Sequence, residues 1–262
     1  MGNRVRRNGI RAVKVSDSNS LLAKEEFIAR FHAIGKERYH HQHPFHLLMH
    51  EGKLSRGQLQ AWALNRYAYQ SRIPIKDATI LARSEDPAFR LAWRKRILDH
   101  DGDDAHAGGI EKWLRLIEAT GLSRDQAIGC DGILPATRYA VDAYVEFVRS
   151  RTHLEAVASS LTELFSKDLI ALRVDRLRRH YPWLASGLDY FQGRMTQAPE
   201  DVNFALDWVV EHANTAEQQQ LAFAALRTKC DILWAMLDAL YFAYVEPGWP
   251  PPGAFRPPRD SK

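Results

Sequence analysis

Four histidines lie close together in the stretch Tyr39-His40-His41-Gln42-His43-Pro44-Phe45-His46. Imidazole is the commonest metal ligand in proteins and the usual proton shuttle near pH 7. A helical di-iron centre needs two Glu-x-x-His motifs and two further glutamates. Here Glu37-Arg-Tyr-His40 is the one such motif, and His-Glu-x-x-His is absent. We therefore interpret these histidines as structural or cavity-lining residues and predict no metal centre.

A second candidate for a functional site is the helical face that follows Ser55. Trp62, Arg66, Tyr69 and Gln70 recur at spacings of three and four, so they share one side of a helix. Such a face combines aromatic surface with a guanidinium, a phenol and an amide, which suits an anionic ring. An amphipathic boundary at which Arg extends past Trp explains this segment equally well.

Two further i, i+4 pairs repeat this chemistry, Arg96 with His100 and Tyr190 with Arg194. Polar side chains also interrupt apolar helical segments. If these are buried they need partners, because an unpaired buried charge costs several kcal/mol. A bound carboxylate is one such partner, and structural ion pairs are the other. The interrupting residues are Tyr144, Glu163, Arg173 and Lys229, and the candidate ion-pair partners of Arg173 are Asp175, Glu163 and Asp168.

Cysteine content and glycine motifs exclude several classes of protein. Cys130 and Cys230 are far apart and form no Cys-x-x-Cys motif, so neither a disulfide framework nor a zinc ribbon is predicted. A reducing cytoplasm fits this usage best. Neither Gly-x-Gly-x-x-Gly nor a Walker sequence is present, which argues against a nucleotide cofactor.

The charge balance argues against a nucleic-acid partner. The 262 residues include 36 Lys+Arg and 32 Asp+Glu, a formal net charge of +4. Much of that excess lies in the N-terminal segment, which holds Arg4, Arg6, Arg7, Arg11 and Lys14. A nucleic-acid binder should instead carry its cations along an ordered face. No apolar run is long enough for a membrane span or typical of a secretory signal, so we expect neither export nor membrane insertion.

Helical spacing of apolar residues recurs between two segments of biased composition, which predicts a single-domain, all-α, compact helical bundle. The Ser55/Gln58, Ser123/Gln126 and Thr215/Gln218 pairs match helix-start capping boxes. We predict a disordered basic tail over 1–20, a helical domain over 21–245 and an extended or disordered proline-rich tail over 246–262. The predicted helices lie near 22–36, 55–72, 75–84, 87–100, 104–119, 136–149, 153–178, 182–195, 200–212 and 216–244.

Long stretches of the chain resemble the pyrroloquinoline quinone synthase family, which is related to the thiaminase-like proteins and shares their haem-oxygenase-type helical fold. The resemblance runs from about residue 24 to 245. The stretches that carry it are Tyr39-His40 with His43-Pro44, Asn65-Arg66 through Tyr69-Gln70, Ile73-Pro-Ile-Lys-Asp77, Arg96-Ile-Leu-Asp-His-Asp-Gly102, Gly109-Ile-Glu-Lys-Trp-Leu-Arg115, Ala140-Val-Asp-Ala-Tyr144, Ser160-Leu-Thr-Glu-Leu-Phe165, His180-Tyr-Pro-Trp183 and Lys229-Cys-Asp-Ile-Leu-Trp234.

The resemblance implies an oxidase that uses molecular oxygen and no metal or organic cofactor. Its substrate would be a ring-open bicyclic quinone amino acid with several carboxylates, and its products pyrroloquinoline quinone and hydrogen peroxide. Family members are typically homodimers, and a carrier protein that delivers the peptide-derived precursor is an implied partner. The implied substrate-binding residues are Tyr39, His40, Arg66, Gln70, Lys76, Arg96, Tyr144, Arg173 and Lys229, and the implied proton- and oxygen-handling residues are His100, Glu163, Tyr190 and Arg194.

One position departs from the family pattern. Many relatives have a histidine, assigned to the oxygen site, where an ungapped alignment places Ile170. An aliphatic side chain donates neither a hydrogen bond nor a proton, so either His100, Tyr190 and Arg194 suffice or the later oxidative steps differ. This departure keeps open a non-catalytic protein that carries the quinone. A thiaminase-like hydrolase of the same fold would need a cysteine near the helix start at Leu134-Pro-Ala-Thr137, where none occurs.

Overall fold

The computed structural model of the chain describes residues 20–258, except for the side chains of 166–168 and 196–202. The basic tail predicted over 1–20 falls almost entirely outside these residues. Across the described part, the regular elements are α-helices and short 3-10 turns. The helices are α1 Lys24–Arg38, α2 Pro44–His50, α3 Arg56–Gln70, α4 Ile73–Leu81, α5 Pro87–Asp101, α6 Gly109–Thr120, α7 Arg124–Ile128, α8 Pro135–Ser150, α9 His153–Ala158, α10 Ser166–His180, α11 Asp189–His212 and α12 Ala216–Tyr244, and the 3-10 turns are His40–Gln42, Ser159–Phe165 and Pro182–Gly187.

Several helix ends follow directly from capping chemistry. The Ser55 and Thr215 side chains each accept the backbone N–H three residues on, and a glutamine at that position reaches back to the cap. Ser123 accepts in the same way from the Gln126 N–H. Gly121 ends α6 with a φ of 91°, the left-handed conformation in which glycine avoids the steric cost of a Cβ. The all-α prediction is confirmed, as is the start of α12 at residue 216.

The long helix α12 organises the bundle. It packs against α1, α8, α9 and the Ser159–Phe165 turn. On one side, buried residues including Phe27, Phe31 and Phe223 form an aromatic cluster with ring centroids 4.9 to 5.1 Å apart. On the other side a second core surrounds the buried Trp113 of α6. No helix within residues 20–258 is both long and apolar enough to cross a membrane.

Two helix predictions were wrong in ways that matter for function. The single helix expected over 153–178 is divided into α9 and α10 by the 3-10 turn Ser159–Phe165. Within this turn Ser159 Oγ donates to the Ala156 carbonyl at 2.7 Å, and side-chain bonds of this kind compete with regular helix geometry. The pair expected over 182–195 and 200–212 is instead the turn Pro182–Gly187 followed by one helix, α11. Gly187 lies so close to Leu116 of α6 that a Cβ would come within 2.7 Å of its Cα.

Other differences are smaller. Helices α2 and α7 were not predicted, because five to seven residues are too few to show a helical period. Helix α6 begins at Gly109 rather than at 104, because Asp103 Oδ1 accepts the backbone N–H groups of Ala105 and His106 and holds residues 103–106 in a turn.

The proline-rich segment after α12 runs without helix along the body of the protein. The Phe255 N–H donates to the Gly132 carbonyl at 2.7 Å, and the Tyr244 hydroxyl donates to the Phe255 carbonyl at 2.9 Å. Ala254 is buried, and Pro257 lies against Gly57 at the start of α3. The described part of this segment, residues 246–258, is therefore docked on α3 and on the loop before α8.

Candidate active site

A cavity of about 100 Å³ lies where the two cores meet. Its walls come from Tyr39 directly after α1, from the His40–Gln42 and Ser159–Phe165 turns, and from α3, α4, α5, α6, α10, α11 and α12. Most of the predicted site residues line it, which brings together side chains that are up to 155 positions apart in the chain (Tyr39 to Arg194). These residues are Tyr39, His40, Arg66, Gln70, His100, Glu163, Arg173, Tyr190 and Arg194.

The remaining predicted residues do not reach the cavity wall. Lys76, Arg96, Tyr144 and Lys229 are all buried, but they lie one layer behind it. Lys76 Nζ donates to Asp77 Oδ1 at 2.6 Å and to Ser160 Oγ at 3.2 Å. That these four side chains bind the substrate therefore stays a prediction, and in this structure they lie behind the residues of the wall. Spacing along a helix identifies a face, and it does not say how many layers of side chains cover that face.

Glu163 is the anionic centre of the site. Its two carboxylate oxygens lie 2.8 Å from Arg96 Nη2 and 3.1 Å from Arg194 Nη2. Burial alone would raise the Glu163 pKa, but the Arg96 and Arg194 guanidinium groups outweigh it and lower the pKa to about 2. Arg194 also lies 3.8 Å from Asp99. Glu163 is thus a carboxylate at any physiological pH, and it neutralises part of the positive charge at its end of the cavity.

Arg66 and Arg173 also bring positive charge to the cavity wall. They line both this cavity and a smaller one next to it, bounded also by Trp62 and Leu237. Among the described side chains, neither arginine forms a salt bridge with an acidic residue, and the side chain of Asp168, a predicted candidate partner of Arg173, lies outside that part. The Arg66 guanidinium lies 4.2 Å from the Tyr69 ring centroid. Guanidinium groups bind carboxylates through paired hydrogen bonds, so this pair of arginines is suited to receive an anion.

His100 presents a neutral imidazole to the cavity. Its Nδ1 lies 2.9 Å from the Arg96 carbonyl, and a carbonyl can only accept, so Nδ1 carries the proton and Nε2 has the free lone pair. Burial, reinforced by the Arg194 guanidinium, lowers the His100 pKa to about 4. His100 is accordingly available as a proton acceptor throughout the neutral range.

The Tyr190 and His100 rings both lie beside Gly109, the first residue of α6. The Tyr190 hydroxyl accepts a hydrogen bond from Gln70 Nε2 at 2.7 Å, which leaves its own proton free to be donated. A Cβ on Gly109 would lie 3.2 Å from the Tyr190 ring and 3.5 Å from the His100 ring, so glycine lets α6 begin between these side chains. Tyr190 and Arg194, one turn apart on α11, thus supply a hydroxyl and a guanidinium to the same wall.

Tyr69 lines the cavity and lies on the predicted face of α3, but it was not among the predicted site residues. Lys229 Nζ donates to its hydroxyl, and the ammonium lies 3.3 Å from the Tyr144 ring centroid and 4.2 Å from that of Tyr69. Burial lowers the Lys229 pKa well below its ordinary value and raises that of Tyr69. Lys229 and Tyr144 therefore act on the cavity through Tyr69. Thr162 of the 3-10 turn is a second wall residue that was not predicted.

An apolar patch completes the wall, formed by Ile170 with Leu169, Phe191 and Leu233. Ile170 is the position at which the resemblance led us to expect a histidine, and in this chain it gives the wall an aliphatic surface. Small apolar molecules such as dioxygen are less costly to place against this patch than against the charged wall.

Histidine side chains of the stretch 40–46 make contacts with other residues of the protein. His43 Nε2 lies 3.0 Å from Asp238 Oδ1, and His46 contacts both His40 and Arg173. Among the described side chains, no group of three or more His, Cys, Asp or Glu residues is arranged to hold a metal ion.

Comparison with known proteins agrees with this architecture. Residues 28–239 match the model of the TENA/THI-4/PQQC family. The pyrroloquinoline-quinone synthase of Xanthomonas campestris pv. campestris is 55% identical over 93% of this chain and 98% of its own length. The bifunctional coenzyme PQQ synthesis protein C/D of Methylorubrum extorquens is 55% identical over 90% of this chain and 64% of its own length.

Solved structures show the same fold at low sequence identity. A domain from Shewanella denitrificans with a heme oxygenase-like fold superimposes with a TM-score of 0.68 at 12% identity, over 89% of this chain and 96% of that domain. The helical bundle therefore has the haem oxygenase-like fold expected from the resemblance. Because the family model matches residues 28–239 and the Xanthomonas campestris relative aligns along 98% of its own length, the chain belongs to the TENA/THI-4/PQQC family.

Proposed function

We propose that the chain is a pyrroloquinoline-quinone synthase, an oxidase that closes the last ring of its quinone amino acid substrate and oxidises the product with molecular oxygen. The observation that carries this proposal is the pairing of two functions in one cavity. Arg66 and Arg173, which form no salt bridge with any described acidic side chain, provide positive charge for carboxylates, and His100 provides a neutral base. The 55% identity to a relative named pyrroloquinoline-quinone synthase supports the proposal.

Substrate carboxylates bind to the Arg66 and Arg173 guanidinium groups, with Tyr39, His40 and Gln70 as further hydrogen-bonding residues on the same wall. Lys76, Arg96, Tyr144 and Lys229 support this wall from behind. Sites for ligands of drug size typically measure 300 Å³ or more. Because the present cavity is about 100 Å³, binding requires the wall side chains to move apart.

His100 Nε2 takes a proton from substrate carbon in each oxidation, because His100 lines the cavity, its Nδ1 is held by the Arg96 carbonyl and its low pKa keeps Nε2 unprotonated. Each two-electron step transfers two electrons and two protons from the substrate to one dioxygen, which leaves as hydrogen peroxide. The Tyr190 hydroxyl and the Arg194 guanidinium stabilise the peroxide anion by hydrogen bonding and charge. Glu163 orients Arg194, and the Ile170 patch keeps the oxygen site free of water.

The proposed reaction uses no metal or organic cofactor, since a quinonoid substrate can itself pass electrons to oxygen. We place the protein in the cytoplasm as a homodimer. We also propose that a carrier protein brings the precursor. The Methylorubrum extorquens relative is named as a bifunctional coenzyme PQQ synthesis protein, and about a third of its length lies outside the match, which supports a second protein acting beside this one.

The test is to mix the purified, metal-free protein with the ring-open intermediate in air and to follow quinone absorbance and peroxide release. The proposal predicts turnover with peroxide that is unchanged by a chelator. Tight binding without turnover would identify a carrier instead, and a requirement for added iron would contradict the cofactorless mechanism. Light scattering on the same sample tests the homodimer.

The hydrolase alternative finds no support in the cavity. Among the described residues, neither cysteine belongs to its wall. Cys230 is buried in the core beside Lys229, and burial raises its thiol pKa to about 12. Cys130 lies in the loop before α8, and partial burial raises its pKa as well. A nucleophilic thiolate requires a lowered pKa, so both thiols are poor candidates.

A further inference from the structure

His46 of α2 lies directly behind the cavity wall and connects two residues of that wall. It is buried, with 3% of its surface exposed. Its Nδ1 lies 3.0 Å from the His40 carbonyl and 3.2 Å from His40 Nδ1. On the other side, Arg173 Nη2 lies 3.2 Å from His46 Nδ1 and 3.3 Å from His46 Nε2. His46 itself does not line the main cavity, so it acts there only through His40 and Arg173.

The contacts of His46 determine where its proton lies. The His40 carbonyl can only accept a hydrogen bond, and the Arg173 guanidinium can only donate one. A neutral imidazole satisfies the carbonyl if Nδ1 carries the proton. Arg173 Nη2 lies almost equally far from both ring nitrogens, and Nε2 is then the one that can accept from it. The reverse tautomer would direct one N–H at another and leave the carbonyl facing a lone pair. The neutral form is favoured because burial and the Arg173 charge lower the His46 pKa well below its ordinary value.

The proton on His46 in turn determines the tautomer of His40. The His46 Nδ1–H donates to the His40 carbonyl and also lies 3.2 Å from His40 Nδ1, where a second N–H would face it donor to donor, so His40 Nδ1 is unprotonated. Burial and the Arg173 charge also lower the His40 pKa well below its ordinary value, so His40 is neutral and its single proton lies on Nε2. The ring nitrogen that remains for a ligand is therefore a hydrogen-bond donor.

We propose that His46 is a positioning residue that holds His40 in the Nε2–H form, as a donor to an anionic ligand, and holds the Arg173 guanidinium against the cavity. This assigns His40 to anion binding and leaves proton abstraction to His100. The part of the proposal that concerns catalysis rests on the function proposed above. The tautomer of His40 can be measured without any turnover.

Three variants separate the two contacts. In His46→Asn the amide nitrogen takes the place of Nδ1, so the donor to His40 is kept and the acceptor for Arg173 is lost. In His46→Gln the amide oxygen takes the place of Nε2, so the acceptor is kept and the donor is lost. His46→Phe removes both and keeps the ring volume. His32→Asn, on the exposed face of α1, is the matched control.

The first measurement is ¹⁵N NMR of histidine-labelled protein, with the His40 signals assigned by their loss in His40→Gln. We expect a protonated Nε2 and an unprotonated Nδ1 in the wild type, His46→Asn and His32→Asn, and a shift toward the Nδ1–H form in His46→Gln and His46→Phe. A wild-type His40 with its proton on Nδ1, or an unchanged tautomer in His46→Phe, would overturn the proposal.

The second measurement is binding of pyrroloquinoline quinone, followed by its absorbance, together with kcat and KM for the ring-open intermediate. We expect His46→Phe to weaken binding and raise KM about 10- to 100-fold with a smaller change in kcat, because charge-assisted contacts are lost. His46→Asn and His46→Gln should each recover part of the loss. Unchanged binding in His46→Phe would also overturn the proposal.

Should wild-type turnover be absent, the proposed function fails while the tautomer and binding results still decide the role of His46. Thermal unfolding identifies any variant that has lost its fold, and the two amide variants then carry the test.

Discussion

Glu163 and Arg194 form an ion pair at 3.1 Å on the cavity wall, although one lies in a 3-10 turn and the other on α11. The pairing depends on the interruption between α9 and α10. A continuous helix through residues 153–178 would carry Glu163 in a different direction, because each residue of an α-helix turns by about 100° and a 3-10 residue by about 120°. The irregular turn is thus what brings this carboxylate to the arginines.

The first prediction concerns acid stability. Because the Glu163 pKa is lowered to about 2, its ion pairs contribute stability that is fully present above the ordinary carboxylate pKa of 4.5 and is lost as the pH falls toward 2. Glu163→Gln should therefore lower the free energy of unfolding at pH 6 and flatten its decline between pH 5 and 3. Urea unfolding at several pH values measures both effects. Parallel wild-type and variant curves would show that Glu163 does not contribute in this way.

The second prediction concerns the base. His100→Gln should lower kcat by roughly 10²- to 10⁴-fold, the usual contribution of a positioned proton acceptor, and should change quinone binding much less. In the wild type the His100 pKa of about 4 places protonation of the base near pH 4. The acid limb of the kcat/KM profile should then fall near pH 4, rather than near 6.5. An acid limb near 6.5 would point to another base.

The third prediction concerns the arginine end of the cavity. Arg66→Lys keeps the charge but removes the planar fork that binds a carboxylate in two places, so KM should rise about 10-fold or more with little change in kcat. Arg72→Lys is the matched control, because Arg72 lies on the surface in a salt bridge with Asp142 at 3.2 Å. Steady-state kinetics on both variants measure the difference. Equal KM values for Arg66→Lys and Arg72→Lys would show that Arg66 does not bind a substrate carboxylate.

The fourth prediction concerns the layer behind the wall. Tyr69→Phe removes the hydroxyl to which the buried Lys229 amine donates, and an unsatisfied buried donor costs about 1 to 3 kcal/mol. Combining Tyr69→Phe with Lys229→Met should recover most of that loss, because the amine is then absent. A double-mutant cycle by urea unfolding measures the coupling between the two residues. Additive effects would show that this contact contributes nothing to stability.

The sequence predicts a structural feature correctly where one local interaction decides that feature. Ser55 and Thr215 start helices because a side chain three residues from a glutamine satisfies the free N–H groups, whatever surrounds them. The turn that contains Glu163 could not be predicted in this way. Its geometry depends on Arg96 and on the contact of Ser160 with Lys76, partners that are distant in sequence.

The same distinction applies to the site. Arg66, Tyr69 and Gln70 could be placed on one helix face because spacing determines a face. Whether a residue reaches the cavity depends on what the tertiary structure places in front of it. Lys229 lies on the correct side of α12 but is covered by Tyr69, and periodicity carries no information about that covering residue.

The unequal distribution of charge in the cavity has a consequence for stereochemistry. Arg66 and Arg173 form no salt bridge with a described acidic side chain, whereas Arg96 and Arg194 are paired with Glu163. Under the proposed function, a flat molecule whose carboxylates lie mostly along one edge is bound with that edge toward Arg66 and Arg173. That orientation selects which carbon atoms meet His100 before any bond is broken.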